Sequence, residues 1–139
     1  MYPKKIQNRR KTMGNRAVLE MQDTGIGIYL HWNGGRNSVQ AFLDVAKEYD
    51  VRTAEDYGTA RLVQIIGNFF GGTLSVGVGP IDRLDTDNGD NGVYVIDEYF
   101  NIVERKFMRY PEQETPSVED MKGAIKEAND EAFKESLKA

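Results

Sequence analysis

Eight consecutive residues carry the side chains and spacing of an anion-binding turn: His31-Trp32-Asn33-Gly34-Gly35-Arg36-Asn37-Ser38. Free N–H groups at a helix start carry partial positive charge and hold anions. Glycines let the backbone approach a phosphate closely. Arg36 could add a bidentate contact. His31 or Trp32 at the rim could stack on a base. The pattern matches neither the P-loop nor the dinucleotide fingerprint. The competing reading is a plain chain-reversing glycine turn, with Trp32 in the core and His31 in a structural role.

A second cluster follows at 82–92, where four aspartates and two asparagines crowd Asp82 to Gly92. Oxygen donors this dense suit Ca²⁺ or Mg²⁺. An EF-hand register can begin at Asp87, but it puts Gly89 where an oxygen ligand is required. The flanking segments also read as strands, so no metal site is assigned. A turn-rich loop with Asn, Asp and Gly in left-handed conformations accounts for the composition. In a third reading the Asn88 and Asn91 amides donate to a ligand. Arg61 interrupts an apolar helix, so it needs either an acidic partner or an anionic ligand. Arg105 and Arg109 read as surface residues.

Other chemistry is scarce. The chain has no cysteine and one histidine, His31. Disulfides, thiolate nucleophiles, Cys-based zinc sites and multi-His metal sites are therefore excluded. Nothing calls for a cofactor. Paired carboxylates such as Asp85 and Asp87 are what remains for hydrolysis, and no catalytic set is assigned. No run approaches a membrane span. The basic N-terminus has no apolar stretch behind it, so a cytoplasmic location is expected.

These residues need elements to hold them. The 139 residues suit one domain. Strands are expected at 16–22 and 26–32, joined at Asp23-Thr24-Gly25. Ile26, Ile28, Leu30 and Trp32 alternate on one face. Helices follow at 38–49, capped by Asn37 or Ser38, and at 54–70, capped by Thr53 with Asp56. The second helix is apolar around much of its girth, which implies burial or a second subunit. A strand at 73–78, with Leu74, Val76 and Val78 inward, precedes a closing hairpin of 93–96 and 101–107. Ser117 caps a last amphipathic helix. The expected fold is an α+β domain: an antiparallel sheet of about five strands, in ββααβββα order, on two helices, with a peripheral C-terminal helix. Its parts are a basic flexible tail at 1–12, the domain at 13–110, and a linker and helix at 111–139. Lys4, Lys5, Arg9, Arg10 and Lys11 give the first 13 residues a charge of +5, so the remainder of a chain of net −4 carries −9. The tail could touch nucleic acid or fold back on the acidic body.

Four segments carry a resemblance: Met13-Gly14-Asn15-Arg16-Ala17-Val18, Ile28 through Gly35, Ile65 through Gly72, and Asp87 through Tyr94. Over about 95 residues the chain resembles small proteins of phages and prophages of Gram-positive bacteria. Within that group it is similar to the Thoeris anti-defence sponges. That resemblance implies sequestration of a cyclic ADP-ribose-type signalling nucleotide by a homo-oligomer, without turnover. The residues expected to serve the ligand are His31, Trp32, Asn33, Gly34, Gly35, Arg36, Arg61, Phe70, Asn88 and Asn91. Arg36 and Arg61 would hold phosphates, Trp32 or Phe70 would stack, and Asn88 and Asn91 would read polar edges. The alternative is a protein-binding inhibitor of a host defence protein, such as an anti-CRISPR, whose acidic surface imitates DNA.

Overall fold

The computed structural model describes residues 15–72, 75–109, 111–112 and 115–138. The basic tail, Met13, Gly14 and Leu74 lie outside them. Strands β1 (Ala17–Met21) and β2 (Ile26–Leu30) form the expected antiparallel hairpin, in register from Ala17↔Leu30 to Met21↔Ile26. Asp23 and Gly25 take positive φ in the turn. The alternation in β2 holds from Ile28 onward, while Ile26, expected on the same inward face, is exposed at the start of the strand. Ile28 and Leu30 enter the main core with Trp32 packed against it, while Tyr29 faces the opposite side.

Helices α1 (Arg36–Glu48) and α2 (Asp56–Phe70) follow. The cap of α1 is Gly35 with no side-chain bond, so Asn37 and Ser38 fall inside the helix. The cap of α2 is Glu55, whose side chain accepts from the Gly58 N–H at 2.7 Å, in place of Thr53. Leu62, Ile65, Ile66 and Phe70 line the buried face of α2. Its apolar girth is narrower than expected, because Tyr57 is 70% exposed. Gly71 ends the helix with φ 66°.

Strand β3 (Val76–Pro80) pairs with β2, and β4 (Val93–Ile96) with β5 (Ile102–Lys106). The strand runs on through Gly79 and Pro80, past the expected end at 78. An edge position explains the tolerance for Pro80. Val78, expected inward, is exposed for the same reason. The sheet order is β3-β2-β1-β4-β5. It is mixed, not antiparallel, because β4 runs parallel to β1. The loop after β3 causes this. It starts where the Ile81 N–H bonds to Gly25 and ends where the Asn91 N–H bonds to Arg16. The chain thus crosses the whole sheet face before β4 begins, as a parallel connection requires. Ile81 and Leu84 pack there against Val18, Tyr29, Val93 and Val95, a small second core opposite the helices.

Helix α3 (Val118–Lys138) starts at Ser117, whose hydroxyl accepts from the Asp120 N–H at 3.1 Å. Met121 and Ile125 are its buried residues. Lys122 and Lys126 both reach Glu48 of α1. Among the described residues no helix is long and apolar enough to cross a membrane.

Candidate functional site

Antiparallel pairing puts the end of β2 beside the start of β1, and parallel pairing puts the start of β4 there too. The two clusters singled out in the sequence therefore meet at one end of the sheet. Asn15 joins them. Its carbonyl accepts from the Gly34 N–H at 2.9 Å, and its side chain accepts from the Asn91 amide at 2.8 Å. Asn15 was not anticipated, since nothing in its local spacing distinguishes it.

Most of the polar groups that meet there are hydrogen-bonded within this end of the sheet, but the buried Asn33 Oδ1 has no partner among the described residues. The Gly34 carbonyl accepts from the Tyr94 hydroxyl at 2.6 Å. A Cβ at Gly34 would lie 2.5 Å from the Asn15 carbonyl oxygen. This glycine serves a close crossing of two backbones, and its N–H and C=O are not open to a phosphate. The Asn88 amide donates to the Asp85 and Gly92 carbonyls, and its oxygen accepts from the Asp90 and Gly92 N–H groups. Asn91 donates to Asn15 and to the Arg16 carbonyl. Both asparagines hold the loop closed, which corrects their expected role as readers of a ligand.

The aspartates are also occupied. Asp90 is buried and accepts from the Arg16 Nε at 2.7 Å, with Asp85 3.7 Å from the same guanidinium. The Asp90 bond is the main cause of an Arg16 pKa raised above the ordinary value. Asp87 lies on Arg109, which is a surface residue as expected. Among the described residues no group of three His, Asp or Glu side chains could hold a metal ion. Arg105 was read as a surface residue, but its guanidinium sits 3.8 Å from the Tyr94 ring centroid and pairs with Glu112. Burial, above all, raises the Tyr94 pKa.

His31 is exposed, its Nδ1 2.9 Å from the Tyr29 hydroxyl and its ring edge-on to Trp32. Asn33 takes φ 57°, a left-handed turn that asparagine tolerates, and is 7% exposed. Its amide points to Ser38 and Met121. Asn37 donates to the Pro116 carbonyl, so the segment leading into α3 crosses the start of α1. Arg36 opens α1, half-buried. Phe70, expected to stack on a ligand, packs in the core against Phe42 and Phe69.

Open space lies on the helix layer. Two adjoining depressions of about 460 and 580 Å³ share Val51 and Arg61. Arg61 is exposed, not turned toward the core, and its guanidinium sits 5.3 Å from the Tyr57 ring centroid. Among the described residues it has no ion pair, so the acidic partner that is one of its two sequence readings is not found. Arg52, Thr53 and Tyr57 line the larger depression together with two carboxylates, Asp50 and Glu55, and Glu55 is engaged as the cap of α2. Gln64, Asn68 and Asn129 line the smaller one. Of this group the sequence singled out only Arg61. The signal for Tyr57 was its four-residue spacing from Arg61, which puts both on one helix face. Arg52 had no such signal. No family model, curated protein or solved structure matches the chain.

Proposed function

We propose that the chain binds a small anionic ligand with a planar ring, of the nucleotide class, at the Arg52–Tyr57–Arg61 face and holds it without turnover. The observation that carries this is Arg61, an exposed guanidinium over an exposed tyrosine ring, between two open depressions. A cation in that position meets a phosphate, and the Tyr57 ring offers a stacking surface beside it. A depression of about 580 Å³ falls in the size range of small-molecule sites. The resemblance to Thoeris anti-defence sponges makes a cyclic ADP-ribose-type signal the first ligand to test, and a phage anti-defence role the context.

The test is calorimetric titration of the full chain with cyclic ADP-ribose, with the ligand recovered and weighed by mass spectrometry. Arg61→Ala should weaken binding by about 10- to 100-fold, the worth of one hydrogen-bonded charge, with the melting curve unchanged. Binding lost in Arg36→Ala and kept in Arg61→Ala would move the site to the start of α1. Recovery of a hydrolysed ligand would replace the binder with an enzyme.

A protein-binding inhibitor of a host defence protein is the second reading. Its support is the exposed acidic flank of α3, where Glu127 and Asp130 have no ion pair among the described residues while Glu131 and Glu135 face Lys134 and Lys138. The aspartate loop supports it less, because Asp85, Asp87 and Asp90 face Arg16 and Arg109. A DNA mimic loses its partner steeply as salt rises. Retention of a partner at high salt would argue against it.

A further inference from the structure

Helix α1 begins without a side-chain cap: Gly35 holds that position, and no acid lies in the first turn. The N–H groups at a helix start lack intrahelical acceptors and carry partial positive charge. Arg36 adds a full charge there. It is half-buried and has neither a hydrogen bond nor an ion pair among the described residues. Glu112, which with Arg36 acts on the Tyr94 hydroxyl, is already paired with Arg105. A second observation lies two residues before the cap. Asn33 is 7% exposed, and its buried Oδ1 has no partner among the described residues. Its amide faces the first turn of α1, 3.4 Å from the Ser38 hydroxyl, and otherwise meets the Met121 sulfur at 3.7 Å. Both contacts are long, so little holds the amide against turning to a ligand. A buried acceptor left without a donor is costly.

We propose that this end of α1 binds free hydrogen phosphate, with Arg36 and the helix start holding its charged oxygens and Asn33 Oδ1 accepting its O–H. The two features ask for different things of one ligand. A cation beside a helix start asks for an anion. An orphaned carbonyl oxygen asks for a donor. Near neutral pH free phosphate supplies both, because one oxygen keeps its proton while the others share the charge. Sulfate has the size and the charge but no O–H. The bridging phosphates of a cyclic ADP-ribose-type nucleotide have no O–H either, so they would leave Asn33 unsatisfied. The site thus differs from the Arg52–Tyr57–Arg61 face in ligand and in place. It takes no ring and uses none of those three side chains.

The experiment is calorimetric titration of the full chain with inorganic phosphate and, separately, with sulfate, near neutral pH and at matched ionic strength. Phosphate should bind about 10- to 100-fold more tightly, because sulfate leaves the Asn33 acceptor unpaired. Arg36→Gln should weaken both anions with the melting curve kept. Asn33→Gly suits the left-handed backbone there, φ 57°, and removes the acceptor, so phosphate should fall to the level of sulfate. Asn33→Asp keeps an acceptor in a residue that tolerates that conformation. It should preserve the preference for phosphate while weakening both anions by repulsion. A wild type that binds no phosphate overturns the proposal. Equal binding of phosphate and sulfate overturns it as well, by removing the role of Asn33. So does a preference that survives Asn33→Gly, which would place the site elsewhere. Cyclic ADP-ribose with Arg61→Ala reads the other face, so the two sites can fail separately.

Discussion

Tyr94 is fully buried, and its hydroxyl satisfies the Gly34 carbonyl, an acceptor at the crossing of two backbones. Tyr94→Phe keeps the ring under Arg105 and removes only that bond. Stability should fall by about 1–3 kcal/mol, the cost of leaving a buried acceptor unpaired, measured by urea unfolding. Gly58 is a second single-atom constraint. A Cβ there would collide with the Thr53 carbonyl oxygen at the edge of the larger depression. Gly58→Ala should therefore cost about 1–3 kcal/mol through overpacking, read as a lower melting temperature. At this scale the sequence exposed residue types and little of their use. Asn88 and Asn91 have the chemistry of ligand readers, but an amide donates to whichever acceptor lies nearest. Here the nearest acceptors are carbonyls of the loop, Arg16 and Asn15.

Helix α3 is held to α1 by Lys122 and Lys126 on Glu48. The bonds to these two lysines hold Glu48 below its ordinary value of 4.5, and the bond to Glu48 raises Lys122 above 10.5. A depressed carboxylate contributes stability above its unfolded pKa and loses it as pH falls through the folded one. A raised lysine contributes below its unfolded pKa and loses it as pH rises through the folded one. The tether is thus complete between 4.5 and 10.5. Glu48→Gln should lower the melting temperature near neutral pH, and the difference from wild type should vanish well below 4.5. A difference that persisted in acid would mean that Glu48 acts through packing and not charge. The periodicity of α3 was legible because Met121 and Ile125 recur at helical spacing. Its ion-pair partner was not, since Glu48 lies far away in the chain.

Across the whole molecule one apolar cluster joins both core helices, the sheet and the first half of α3. Phe42 sits at its centre, edge-on to Phe69 and beside Phe70. Phe42→Ala should cost about 3–5 kcal/mol and shift one cooperative transition, with helix and aromatic signals melting together. Separate melting of α3 would show that it is not part of that unit. The sequence by itself determined the order and type of the elements, the hairpins, the inward faces of β2 and α1, and the Ser117 cap. All of these rest on local periodicity and local hydrogen bonding. Only the tertiary structure decided that β4 runs parallel to β1, because alternation along a strand is the same in either direction. It also decided which polar groups remain for a ligand. The glycine turn and the aspartate loop lie far apart in the chain and each bonds to Asn15, while the buried Asn33 Oδ1 has no partner among the described residues. Arg61 and Tyr57 lie one turn apart on an exposed helix face, the guanidinium 5.3 Å from the ring centroid, and that face is where the proposed ligand site lies. A hydrogen-bonding group is open to a ligand only when folding brings it no partner, and partners are assigned by the fold.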